Sequence, residues 1–113
     1  MKYYTTLEDS KRLQEAGISG SCESEWLEYK GETWAQSKDI TRLLNINDRV
    51  NVVAPAYILG ELLGMVEGDL KSLDYGKEKW SFDCRNSKYE ARIFFDEDPK
   101  HAVVEALLWQ KGA

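Results

Sequence analysis

The sequence has 113 residues, 42% hydrophobic and 12% aromatic, with 15 Lys and Arg against 20 Asp and Glu and a formal charge of −5. Those proportions exclude a disordered chain, which lacks the aromatic and branched side chains that offset chain entropy, and the length predicts one domain over residues 1–113. The shortage of bases argues against an ordinary nucleic-acid binder, whose affinity rests on neutralising phosphates.

The charge is uneven along the chain. Residues 1–38 hold 7 acids and 5 bases, residues 39–76 hold 6 and 3, and residues 77–113 hold 7 and 7. The middle third carries most of the negative excess, so exclusion of nucleic acid is weaker for the last third, where Lys77, Lys79, Arg85, Lys88 and Arg92 could gather into a patch. The first eight residues reach Glu8 before any apolar run that could serve as a signal-peptide core, which predicts a cytoplasmic protein. Cys22 and Cys84 lack C-x-x-C spacing and are expected as reduced, inert thiols.

Thr5 stands three residues before Glu8, the spacing of a capping box, and predicts a helix through Leu7, Leu13 and Ala16 that stops at Gly17, with Ile18 packing back. After the turn Ser19-Gly20-Ser21, residues 25–30 read as a strand that pairs with residues 33–36 across Gly31. Asp39 is placed to cap a short helix over Ile40 to Leu44, ended by Asn45-Ile46-Asn47-Asp48, and Val50 to Val53 is β-prone.

Pro55 to Val66 is expected as a central helix, because Pro suits a first helical position and Ile58, Leu59, Leu62, Leu63 and Val66 recur at helical spacing. The run is interrupted by Asn51, Pro55 and Glu61 and is too short to span a bilayer. Gly60 and Gly64, four apart, each weaken this helix by about 1 kcal/mol relative to Ala. They mark either close packing within the chain or a surface that a partner approaches.

Lys79 to Arg85 and Tyr89 to Phe95 alternate apolar and polar residues and form a predicted hairpin. A two-residue turn at Asn86-Ser87 would set Trp80 against Ile93, Phe82 against Ala91 and Cys84 against Tyr89; it also opposes Asp83 with Glu90, so a longer loop is the alternative. Asp98 as cap and Pro99 as first residue open the last helix, which ends near Gly112. Helices at both ends with antiparallel strands between them predict an α+β domain: a small antiparallel sheet with N-terminal, central and C-terminal helices packed on it.

Chemistry is sparse. His101, the only histidine, follows Asp96-Glu97-Asp98, which could orient an imidazole base, although acids at a helix start also serve the helix dipole alone. The same acids lack the ordered loop of a calcium site, and no nucleotide, zincin or serine-hydrolase motif occurs, so neither metal nor cofactor is expected. Trp80 and Trp109 lie in strongly patterned segments and are expected in the core, whereas Trp26, Trp34 and Tyr57 are less constrained. Trp34, Tyr57, Gly60 and Gly64 are the candidate partner-binding residues.

Three ordered segments carry a resemblance: Tyr4 to Leu13 followed by Gly17-Ile18, Pro55-Ala56-Tyr57 leading into Leu59-Gly60-Glu61-Leu62-Leu63, and Pro99 to Trp109. Together they resemble small uncharacterised proteins encoded in phages and prophages of gut-dwelling anaerobic bacteria. In that family an aromatic often follows the Pro-Ala pair and a tryptophan often opens the later hairpin, roles that Tyr57 and Trp80 would fill. The resemblance implies a mobile-element origin and a cytoplasmic setting; it implies no catalytic residue. The expected function is that of a non-enzymatic accessory protein binding another protein or itself. The alternatives are a small enzyme or ligand-binding domain, with His101 joined to carboxylates such as Glu61 or Asp83 only in three dimensions, and an acidic anti-defence protein.

Overall fold

The chain enters its first helix through Thr6, whose hydroxyl accepts the N–H of Asp9 at 3.1 Å. Helix α1, Leu7–Glu15, thus starts from the residue after the predicted cap. Thr5 instead ties the chain to a distant segment: its N–H donates to the Tyr57 carbonyl at 2.8 Å, and its hydroxyl accepts the Tyr57 N–H at 3.2 Å beside the Ser10 hydroxyl at 2.6 Å. The helix stops where expected. Gly17 adopts φ +73°, and the Ile18 N–H reaches the Leu13 carbonyl, a Schellman closure that a Cβ at position 17 would strain. The computed structural model describes residues 3–44, 50–68 and 70–112.

Strands β1, Ser24–Tyr29, and β2, Glu32–Ser37, pair as expected around Lys30 and Gly31, both at positive φ, as a two-residue hairpin turn of this hand requires. Helix α2, Lys38–Leu44, is opened by Ser37 rather than by Asp39: the Ser37 hydroxyl accepts the Asp39 N–H at 3.2 Å. The predicted stop at Asn45-Ile46-Asn47-Asp48 lies outside the described residues.

Pro55 does not begin a helix. It sits in β3, Asn51–Ala56, opposite Glu25 of β1. In the sheet order β2-β1-β3 this is an edge strand, where the missing N–H of a proline is tolerated. Only Leu59–Met65 is helical as α3, entered through Ile58, whose N–H donates to Glu61 Oε1 at 3.0 Å.

The second sheet contains β4, Ser72–Gly76, which the sequence pattern did not reveal, together with β5, Lys79–Arg85, and β6, Ala91–Asp96, in the order β4-β5-β6. The turn between β5 and β6 is the longer alternative. Asn86 organises it, its Oδ1 accepting the N–H groups of Lys88 and Glu90 at 2.9 and 3.0 Å. Phe82 therefore faces Phe94 rather than Ala91, Trp80 faces Asp96 rather than Ile93, and Cys84 faces Arg92 rather than Tyr89. A displacement by an odd number of residues exchanges the two faces of β6, so Phe94 turns to the core and Ile93 and Phe95 turn away from it.

Helix α4, Pro99–Lys111, begins at the predicted Asp98 cap and closes at Gly112. Ala102, Val103, Val104, Ala106, Leu107 and Leu108 are all buried, a run too continuous for one helical face. The contacts explain it: α4 packs on β5 and β6 and also against α1 and α3, while α1 packs on β3. The central helix is thus α4, not the Pro55–Val66 segment. Leu13, Tyr57, Leu62, Phe82, Cys84 and Val103 are among the buried residues of the core it organises. Both cysteines are free, Cys84 buried and Cys22 half-buried. The class is α+β, with the strands divided between two three-stranded antiparallel sheets.

Candidate functional site

The densest polar cluster lies on the seam between α1 and α4. Asp9, in the first turn of α1, and Arg12, three residues on, face His101 and Glu105, which share a face of α4 at a spacing of four. His101 Nδ1 lies 2.7 Å from Asp9 Oδ2, and the Asp9 side chain is only 7% exposed. On the other side of the ring, Nε2 lies 3.5 Å from Glu105 and 3.9 Å from Asp96. Arg12 completes the cluster at 2.7 Å from Glu105 and 3.1 Å from Asp9.

Burial opposes a charge on His101, but the Asp9 hydrogen bond and the negative charges of Asp9, Asp96 and Glu105 outweigh it, and the imidazole is held above its ordinary value of 6.5. The Arg12 hydrogen bond pulls the Glu105 carboxyl below its ordinary 4.5 against the opposing effect of burial. A general base needs an unprotonated Nε2 directed at a substrate; here Nε2 is faced by two carboxylates that favour its proton. The neighbouring hydroxyl, Ser10, is buried against Thr5. The cluster is therefore a clamp fastening the first helix to the last. Sequence proximity suggested Asp96-Glu97-Asp98 as partners of His101, yet its closest carboxylate is 92 residues away. Glu61 instead accepts the N–H groups of Ile58 and Glu23, and Asp83 stands exposed opposite Ile93, so neither joins the imidazole.

A cleft of about 470 Å³ opens beside the clamp, its lining including Arg12, Glu15, Arg92, Phe94, Glu105 and Trp109 but not His101. The Arg92 guanidinium lies 5.1 Å from the Phe94 ring and 6.0 Å from that of Trp109. Trp109 and Trp80 are half-buried rather than fully in the core.

The candidate partner-binding residues are not brought together. Trp34 is half-buried on the face of β2 that it shares with Leu27 of β1, its Nε1 donating to Gln36 Oε1 at 3.3 Å. Tyr57 is 1% exposed, so its ring is core and not a contact for a partner. Gly60 and Gly64 are exposed, and a Cβ at either would meet nothing within 4 Å. Close packing therefore does not explain them. The close approach is at Gly20, where a Cβ would lie 2.6 Å from Met65 Cγ. Gly60 borders an apolar groove of about 630 Å³ with Tyr3, Leu59, Trp80 and Pro99.

The surface that sequence reasoning missed is the outer face of the second sheet. Ile93 is 51% exposed and Phe95 65% exposed, side by side on β6, with Ser81 and Asp83 of β5 as their cross-strand neighbours. The basic residues of this region do not form one patch: Lys77 and Lys79 lie at one end of β5, Arg85 and Lys88 at the other, and Arg92 on the opposite face. Among the described residues no helix is long and apolar enough to cross a membrane, and no group of three or more His, Cys, Asp and Glu side chains is arranged to hold a metal ion. Comparison with protein-family models, with curated proteins and with solved structures finds no match.

Proposed function

We propose that this protein is a non-enzymatic accessory protein, of the phage or prophage kind its sequence resembles, that works in the cytoplasm by protein–protein contact through the outer face and open edge of the β4-β5-β6 sheet. The observation that carries this reading is the pair Ile93 and Phe95: two large apolar side chains, each more than half exposed, on a strand whose other face is anchored in the core. Isolated surface apolar residues are ordinary, but adjacent ones on a sheet edge are a recognised docking feature. The clamp is in keeping with the same reading, because the carboxylates around His101 hold the imidazole between two helices.

The test is site-specific photocrosslinking in cells producing the full chain, with a benzoylphenylalanine at Phe95 and, as control, at the exposed Val52 on β3. The expected result is a discrete protein adduct at position 95, absent at position 52 and lost when Ile93→Glu is introduced. Equal labelling at both positions, or none at 95, overturns the proposal.

A further inference from the structure

Resting on that reading, we infer that the partner of the open edge is a second copy of this chain, with β6 pairing antiparallel to its own symmetry mate to make one six-stranded sheet. Among the described strands β6 pairs only with β5, so its outer row of N–H and C=O groups is a template for another strand. The strand lacks two of the usual defences against such pairing, proline and a bulge, and its charges, Arg92 and Asp96, are of opposite sign. Ala91-Arg92-Ile93-Phe94-Phe95-Asp96 contains no proline and no lysine, and its register with β5 is unbroken.

Its order of side chains is self-complementary. Centring a two-fold axis on Phe94 sets Arg92 of each copy opposite Asp96 of the other, and Ile93 opposite Phe95, so both charges and both apolar residues find complements. Neighbouring registers do worse. Moving the centre to Arg92 or to Asp96 opposes like charges, and centring on Ile93 or Phe95 sets Arg92 or Asp96 opposite Phe94, so that the charges no longer pair with each other. Arg92 is exposed on β6, its guanidinium over the Phe94 and Trp109 rings, and Asp96, half-buried at the strand's end, accepts the Asp98 N–H through one oxygen while the other faces His101 at 3.9 Å. Pairing would also bring Ile93 and Phe95 of two copies into one apolar strip of four side chains.

The test is light scattering and sedimentation equilibrium on the full chain, wild type and charge-reversed. Wild type is expected to dimerise with concentration. Arg92→Asp and Asp96→Arg, each checked for native circular dichroism and melting, are expected to weaken the dimer by about tenfold to a hundredfold, since symmetry alters both cross-strand pairs at once. Mixing the two variants should restore association as a heterodimer, because each supplies the charge the other lacks. The melting check separates a folding defect from an interface defect, and the mixture rescues only the latter. A wild type that stays monomeric at all concentrations, or a dimer insensitive to both reversals, overturns the inference. A monomer that still gives the Phe95 adduct with a different protein would sink the second copy alone and leave the interaction surface standing.

Discussion

The two sheets solve the same problem in opposite ways. Both edges of the β2-β1-β3 sheet are defended: β3 carries Pro55, a register shift at Trp26/Leu27 and the cover of α1, while β2 is packed by α2. Its interior is thin, and buried Leu27 lies outside the main core cluster. The β4-β5-β6 sheet is the reverse. Its inner face supplies Phe82 and Cys84 to the core under α4, yet β6 ends in an open, unbroken edge. The difference teaches that stability and accessibility are separable within one small fold: the better-anchored sheet can present an undefended edge because its own integrity comes from the helix behind it.

The largest test of this contrast is truncation at the two centres. Phe82→Ala is expected to lower unfolding free energy by about 3–5 kcal/mol and Leu27→Ala by about 2–3 kcal/mol, read from urea unfolding. A Leu27→Ala loss equal to or above that of Phe82→Ala would break the asymmetry.

The next test concerns the clamp, which fastens the helix on the first sheet to the helix on the second. Asp9→Asn, which removes a buried charge from between His101 and Arg12, is expected to cost about 1–3 kcal/mol near pH 6. The pH dependence follows from linkage. His101 holds its proton more tightly when folded, so its contribution is complete below the unfolded value of 6.5 and is lost as pH rises through the higher folded value. Glu105 is lowered, so its contribution is present above 4.5 and is lost as pH falls through the lower folded value. The clamp is strongest between those limits. With a single histidine in the chain, the imidazole NMR titration is unambiguous: the wild-type midpoint should lie above 6.5 and fall in Asp9→Asn. A midpoint unmoved by that substitution would remove Asp9 as the partner.

The smallest effects sit in the hairpin turns. The first sheet turns through Lys30-Gly31, the second through Lys77-Glu78, where both residues have positive φ and neither is glycine. Gly31→Ala should cost about 1 kcal/mol, and Glu78→Gly should stabilise by about 0.5 kcal/mol, relief of left-handed strain being partly offset by unfolded-chain entropy. Thermal melts of the pair give the comparison directly. Gly64→Ala, in open space on α3, should likewise stabilise by about 0.5–1 kcal/mol.

Local chemistry made much of the fold legible. The Gly17 stop, the Lys30-Gly31 hairpin and the Asp98-Pro99 helix start each rest on a few adjacent residues, and each is found in place. What failed depended on distance or on competition between signals. Pro55 satisfies a helix start and an edge strand equally, and its pairing with Glu25 decides between them. β4 was hidden because its turn lacks glycine, and the β5/β6 register because Asn86 organises a longer loop through its side chain. That one register decides whether Ile93 and Phe95 are core or surface. The partner of His101 was out of reach for the same reason: only the crossing of α1 and α4 brings Asp9 to it.

Cys84 gives the anchored sheet a clock. Burial, reinforced by the neighbouring charge of Asp83, pushes its thiol up and keeps it unreactive, whereas Cys22 is half-buried. A thiol reagent should therefore modify Cys22 in the native protein and reach Cys84 only when β5 lifts from α4, so that the second labelling rate times the opening of that sheet without any engineered probe. If the β6 edge is joined to another copy, that interval lengthens as protein concentration rises.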